Sequence, residues 1–162
     1  MPKQDWNINT KPAYAGEQYG LATTNSQRLT YSTDAAMDTY GVAVQQGVAS
    51  NTIKVGHDAG AILGIIMREL KLESKTRPGD GTVLIPKGQP LGVMLEGAVT
   101  VKLQTAITGK ELGINPKGLF GAVASGIGDA VYTKATNVVA LQYPASAGDV
   151  IGVMINMTGP KP

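Results

Sequence analysis

The chain has 162 residues, 43% of them hydrophobic and 16% charged, with a net charge of +2, which suits one globular domain carrying a short appendage. It contains no cysteine, so disulfide scaffolds, thiolate metal sites and thiol nucleophiles are excluded. Lys and Arg form no run of the kind that marks a nucleic-acid stripe, and no apolar stretch approaches the roughly 18 residues that span a bilayer.

In chain order, the opening Met1-Pro2-Lys3-Gln4-Asp5-Trp6 lacks the apolar centre of a signal peptide, so a cytosolic product is expected. Residues 1–40 are polar and rich in Asn, Gln and Thr. They nevertheless hold Trp6, Tyr14, Tyr19, Tyr31 and Tyr40, five of the eight aromatic residues. Such a segment cannot build its own core but can bury its rings one by one. It is read as an extended N-terminal arm, followed by a β domain over 41–162. The arm packs back over its own domain or lies along another surface, and both readings stay open.

Beyond residue 40, short apolar runs alternate with turn signals drawn from 21 glycines and 9 prolines, the rhythm of an all-β domain. Strands are expected at Gly41–Gln45, Thr52–Val55, Thr82–Ile85, Val93–Lys102, Ala130–Thr133, Val138–Leu141 and Val150–Met157. In Ala61–Leu72, Ile62, Ile65, Ile66 and Leu70 fall at helical spacing, with Asp58 as a possible cap, so local pattern predicts a helix. The β-branched pair and Gly64 leave a buried strand open. A helical turn is expected within Asp34–Thr39 and a loop over Ile107–Asn115.

Chemistry-bearing motifs are few. His57, the only histidine, precedes Asp58 and could form half of a Ser-His-Asp triad, but no Gly-x-Ser-x-Gly elbow supplies the nucleophile. A turn residue after a strand is the reading adopted for it. Asp34 with Asp38, and Glu69 with Glu73, have the spacing of a shared helix face, yet neither pair carries the pattern of a calcium loop. Gly126-Ile127-Gly128 and Gly113–Gly118 lack the spacing of phosphate loops; Asn115-Pro116 reads as a turn. No catalytic residue, metal ligand or cofactor is therefore expected, and the chain is read as a non-enzyme.

The order of short motifs is informative as a whole. Pro12-Ala13-Tyr14-Ala15-Gly16 comes first, then Tyr40-Gly41-Val42-Ala43-Val44 and Ala61-Ile62-Leu63-Gly64-Ile65-Ile66-Met67-Arg68-Glu69. Gly81–Gly88, Glu96-Gly97-Ala98-Val99 and Gly148–Asn156 follow. From Pro12 to Asn156 the chain resembles the capsid cement, or head decoration, proteins of tailed bacteriophages. The resemblance implies a compact β-barrel or β-sandwich with an extended N-terminal arm, in which Ala61–Glu69 is a strand. It further implies a homotrimer on the outer face of the virion, assembled in the host cytoplasm, with the major capsid protein as partner and no nucleic acid or membrane. Trp6, Pro12, Tyr14 and Tyr19 are the expected contacts to capsid or neighbouring subunits. The alternatives are another virion β domain (a head fibre base or tail accessory), a carbohydrate-binding module, or a small hydrolase or lyase using His57 and Asp58.

Overall fold

The computed structural model describes residues 14–20, 26–69, 83–127 and 131–157. Among these there is no helix. Nine strands follow in order: β1 (Gln27–Thr33), β2 (Ala43–Gln46), β3 (Thr52–Val55), β4 (Gly64–Ile66), β5 (Pro90–Lys102), β6 (Glu111–Ile114), β7 (Phe120–Gly121), β8 (Thr133–Ala140) and β9 (Val150–Ile155). The all-β class is as expected, and the architecture is a barrel.

The sheet runs β1-β3-β2-β4-β5-β9-β8-β6-β7, and β1 also pairs with β5. That extra pairing closes β1, β3, β2, β4 and β5 into a five-stranded barrel with no free edge in the ring. The key element is β5, whose 13 residues serve two sheets. Residues 90–96 pair with β1, and Val93 and Met94 also pair with β4, while Gly97–Lys102 pair with β9. Just past β5, Leu103 bridges Phe120 of β7, so the second sheet also curls back to the strand it starts from.

Each sheet has its own core. Tyr31, Val42, Val44, Ile53, Ile66 and Leu91 fill the barrel. Val99, Val101, Leu112, Phe120, Val138 and Val153 fill the second lobe, and Ile62, Ile65 and Met94 extend that core to the barrel. Two polar joints tie the lobes. Asn137 of β8 reaches the backbone of Ile62, accepting from its N–H at 3.0 Å and donating to its carbonyl at 2.9 Å. The Asn115–Leu119 turn docks on β2, where the Ala43 N–H donates to the Gly118 carbonyl at 2.9 Å.

Several expectations are corrected. The helix predicted for Ala61–Leu72 is absent from its described part. Gly64–Ile66 is a strand, all three residues buried, because β4 lies between β2 and β5 and must be apolar on both faces. This is what the family resemblance implied. Within the expected loop Ile107–Asn115, Glu111–Ile114 pairs with both β7 and β8. Asp34–Thr39 has no helical turn; its Met37 bridges Ile85. The two short strands expected at 130–133 and 138–141 are replaced by one, β8. Finally, β1 falls inside the 1–40 stretch, and Tyr31 and Tyr40 are barrel-core residues.

Candidate functional site

Residues 14–20, a described part of the chain before β1, lie in a slot between the lobes. Gln18 bridges Val99 in antiparallel sense. The Gly16 N–H donates to the Thr100 carbonyl at 2.7 Å, the Thr100 N–H to the Glu17 carbonyl at 2.8 Å, and the Tyr19 N–H to the Ala98 carbonyl at 3.1 Å. From the barrel side, the Arg68 N–H donates to the Gly16 carbonyl at 2.9 Å. One peptide thus stitches both lobes together, by the main-chain chemistry of strand addition.

Side chains reinforce it. Thr100 is only 1% exposed, although its neighbours Val99 and Val101 face the core. Its hydroxyl accepts from the Glu17 N–H at 2.9 Å and points its proton at the carbonyls of Tyr14 (2.6 Å) and Glu17 (3.0 Å). Arg68 stacks its guanidinium 3.7 Å from the Tyr14 ring centroid and pairs with the Glu17 carboxylate at 2.7 Å. Both contacts suit a planar, delocalised cation better than a lysine. Tyr19 lies flat on Gly152, where a Cβ would come within 2.7 Å of the ring.

Replacing Thr100 with valine should therefore loosen the arm. The shape is kept, but the Glu17 N–H and Tyr14 carbonyl lose their partner, a cost of about 1–3 kcal/mol. Hydrogen exchange should show roughly ten- to hundredfold lower protection at the Glu17 amide, with the amides of β2 to β4 unchanged. An unchanged Glu17 amide would show that the hydroxyl does not anchor the arm.

Of the residues expected to contact a partner, Tyr14 is 55% exposed, one ring face covered by Arg68. Tyr19 is half-buried on its own chain. Trp6 and Pro12 lie outside the described residues. Arg68, Thr100 and Gly152 escaped sequence reasoning, although a glycine amid the apolar run of β9 is a recognised sign that something approaches the backbone closely.

The motifs inspected for chemistry are occupied structurally. His57 is 1% exposed and its Nε2 lies 3.0 Å from the Gly60 carbonyl. Asp58 is met instead by the Gln45 side-chain amide, oriented to donate to its carboxylate at 3.2 Å and accept from its N–H at 3.1 Å. The two therefore form no relay. At Gly113–Gly118, the N–H groups of Lys117 and of Leu119, just past the segment, donate to the Asn115 side chain, leaving them unavailable to a phosphate. The Asp34 carboxylate accepts from the Val48 N–H, and that of Glu69 from the Gly92 N–H. Glu73 lies outside the described residues. Among the described residues no group of His, Asp and Glu has the geometry of a metal site. Lys134, by hydrogen bond and charge, holds the exposed Glu111 carboxyl below its ordinary range, and burial pushes the Tyr132 phenol up.

Residues 1–156 match the family model described as "Structural cement protein (E217 gp24/Pam3 gp6)". No curated protein matches the chain.

Proposed function

The chain belongs to the phage structural cement protein family, and from that premise we propose that it binds the outer face of a phage head and stabilises contacts between major capsid subunits. The family match over nearly the whole chain carries this reading. The mechanism is linkage: a ligand that binds the assembled shell better than free subunits shifts assembly toward the shell. A homotrimer would multiply the effect, since one seated contact raises the effective concentration of the others. No bond is made or broken.

We assign the docking role to the arm before β1, with Trp6, Pro12, Tyr14 and Tyr19 as contacts to capsid or neighbouring copies. The clasp supports a division of labour among them. Tyr19 holds the arm to its own lobe, whereas Tyr14 presents a ring whose orientation Arg68 has already set, so little side-chain entropy remains to be lost on binding.

The test uses purified heads that lack the protein. Wild-type protein should decorate them evenly by electron microscopy and raise their temperature of rupture. The double variant Trp6→Ala/Tyr14→Ala should remain folded and lose affinity by roughly a thousandfold, as expected for two aromatic anchors at about 2 kcal/mol each. Wild-type protein that leaves heads bare would end the capsid reading, and a double variant that binds normally would remove the arm from it.

A further inference from the structure

The strand β1 is sealed along one edge and open along part of the other. Its residues 27–32 pair with β5, whereas β3 joins it only at Ser32 and Thr33. Backbone alternation fixes which way the open stretch faces. The Thr33 N–H donates to the carbonyl of Gln89, just ahead of β5, and the Ser32 N–H to the Asn51 carbonyl on the β3 side. Arg28 and Thr30 share the parity of Ser32, so their N–H and carbonyl groups point away from β5. Gly92, opposite Thr30, agrees, because its carbonyl accepts from the Met67 N–H and not from β1. Among the described residues none pairs with this edge over 28–30, and those residues are exposed.

The side chains on this stretch favour a partner. Leu29 has the parity of Tyr31 and Thr33, which are 8% and 3% exposed, yet it is itself 51% exposed. It sets an apolar side chain on the core side of the strand, past the point where the core covers it. The one charge on the stretch is engaged elsewhere, since the Arg28 guanidinium donates to the Gln18 side-chain carbonyl of its own chain. No lysine or proline, the residues that commonly block an open edge, stands at 28–30.

We propose that this edge pairs with the same edge of a second copy, the two β1 strands running antiparallel about a two-fold axis at Leu29. Chemistry selects that register. Centring on Arg28 would set two arginines directly opposite each other, which is destabilising. Centring on Thr30 would place Arg28 opposite Ser32, whose N–H is already spent on Asn51. Centring on Leu29 sets Arg28 opposite Thr30 on both sides of the axis, with about four main-chain hydrogen bonds. It also joins the two leucines as a non-hydrogen-bonded pair, where side chains approach most closely. So short a contact gives a weak pair in free solution, with a Kd on the order of 0.1 mM. The pairing uses none of the arm residues assigned to docking, so its failure would leave binding to heads untouched, and the reverse.

The chain has no cysteine, so a single introduced thiol can bond only to its twin in another copy. Leu29→Cys would put two thiols across a pair whose Cα atoms lie about 4.5 Å apart, within the span of a disulfide. Thr30→Cys is the control, because its twins would lie about 8 Å apart, too far to bridge. Under mild oxidation of the full chain, Leu29→Cys should form covalent dimers roughly tenfold faster than Thr30→Cys, or more. Sedimentation velocity of the wild type, up to about 1 mM, should show a concentration-dependent doubling of mass. Leu29→Lys, which sets like charges opposite, should weaken that doubling roughly tenfold while the melting temperature is little changed. Equal cross-linking rates for the two cysteine variants would overturn the proposal. So would a wild type that shows no doubling at the highest concentration, or a doubling indifferent to Leu29→Lys.

Discussion

Replacing Asn137 with leucine should lower the unfolding free energy by about 3 kcal/mol, which for a chain of this length is a drop of roughly 6–12 °C in melting temperature. Asn137 is 4% exposed and acts as a substitute strand partner. Its carboxamide satisfies both the N–H and the carbonyl of Ile62, itself 4% exposed, and donates to the Asn156 carbonyl at 3.2 Å. The Asn156 N–H returns to the Asn137 carbonyl at 3.0 Å. Leucine matches the volume but leaves the two Ile62 groups buried and unpaired, and the cost of unmet groups exceeds the net value of the bonds themselves. A thermal melt monitored by circular dichroism decides it. A fall of less than about 2 °C would mean that the lobes are not held by this joint.

An alanine at Gly56 should be more damaging still, at about 4 kcal/mol or more. The residue has φ +121, and its added Cβ would lie 2.3 Å from the Pro116 carbonyl oxygen. Backbone strain alone costs of order 1–3 kcal/mol. The clash adds to it, because it involves backbone and not the end of a flexible side chain. Relief requires the Asn115–Leu119 turn to retreat, which strips the Gly118 carbonyl from the Ala43 N–H and opens the second joint. Gly60 is the matched control: its φ is +78, but an added Cβ meets nothing within 4 Å. Gly60→Ala should cost only about 1 kcal/mol. Soluble expression and urea midpoints of the two variants should differ widely; similar losses would assign the effect to strain and not to the joint.

The strands legible in the sequence are those whose pattern is local. Thr52–Val55 alternates and forms β3 as read, and the valine-rich runs of β5 and β9 are found within a few residues of their bounds. β1 was not legible. Gln-Arg-Leu-Thr-Tyr-Ser-Thr exposes its first four residues, and what makes it a strand is pairing with β5, about sixty positions away. β4 misled because period cannot separate a strand buried on both faces from one turn of buried helix. In β6, Gly113 looks like a loop residue, yet it is small because the Tyr132 side chain lies against it, where a Cβ would come within 2.7 Å. The site divides in the same way. Spaced aromatics in a polar segment mark Tyr14 and Tyr19 as rings in need of a surface, and the surface they meet here is their own chain. Their receptors, Arg68, Thr100 and Gly152, are brought to them by the fold and carry no local mark.

Since β5 contributes side chains to both hydrophobic cores, neither lobe has a complete set of strands without it. Pulling that strand from one lobe unmakes the other, so heat should find no half-molten intermediate to populate, and loss of structure is all-or-none. A subunit of this construction is expected to lose both lobes together under load.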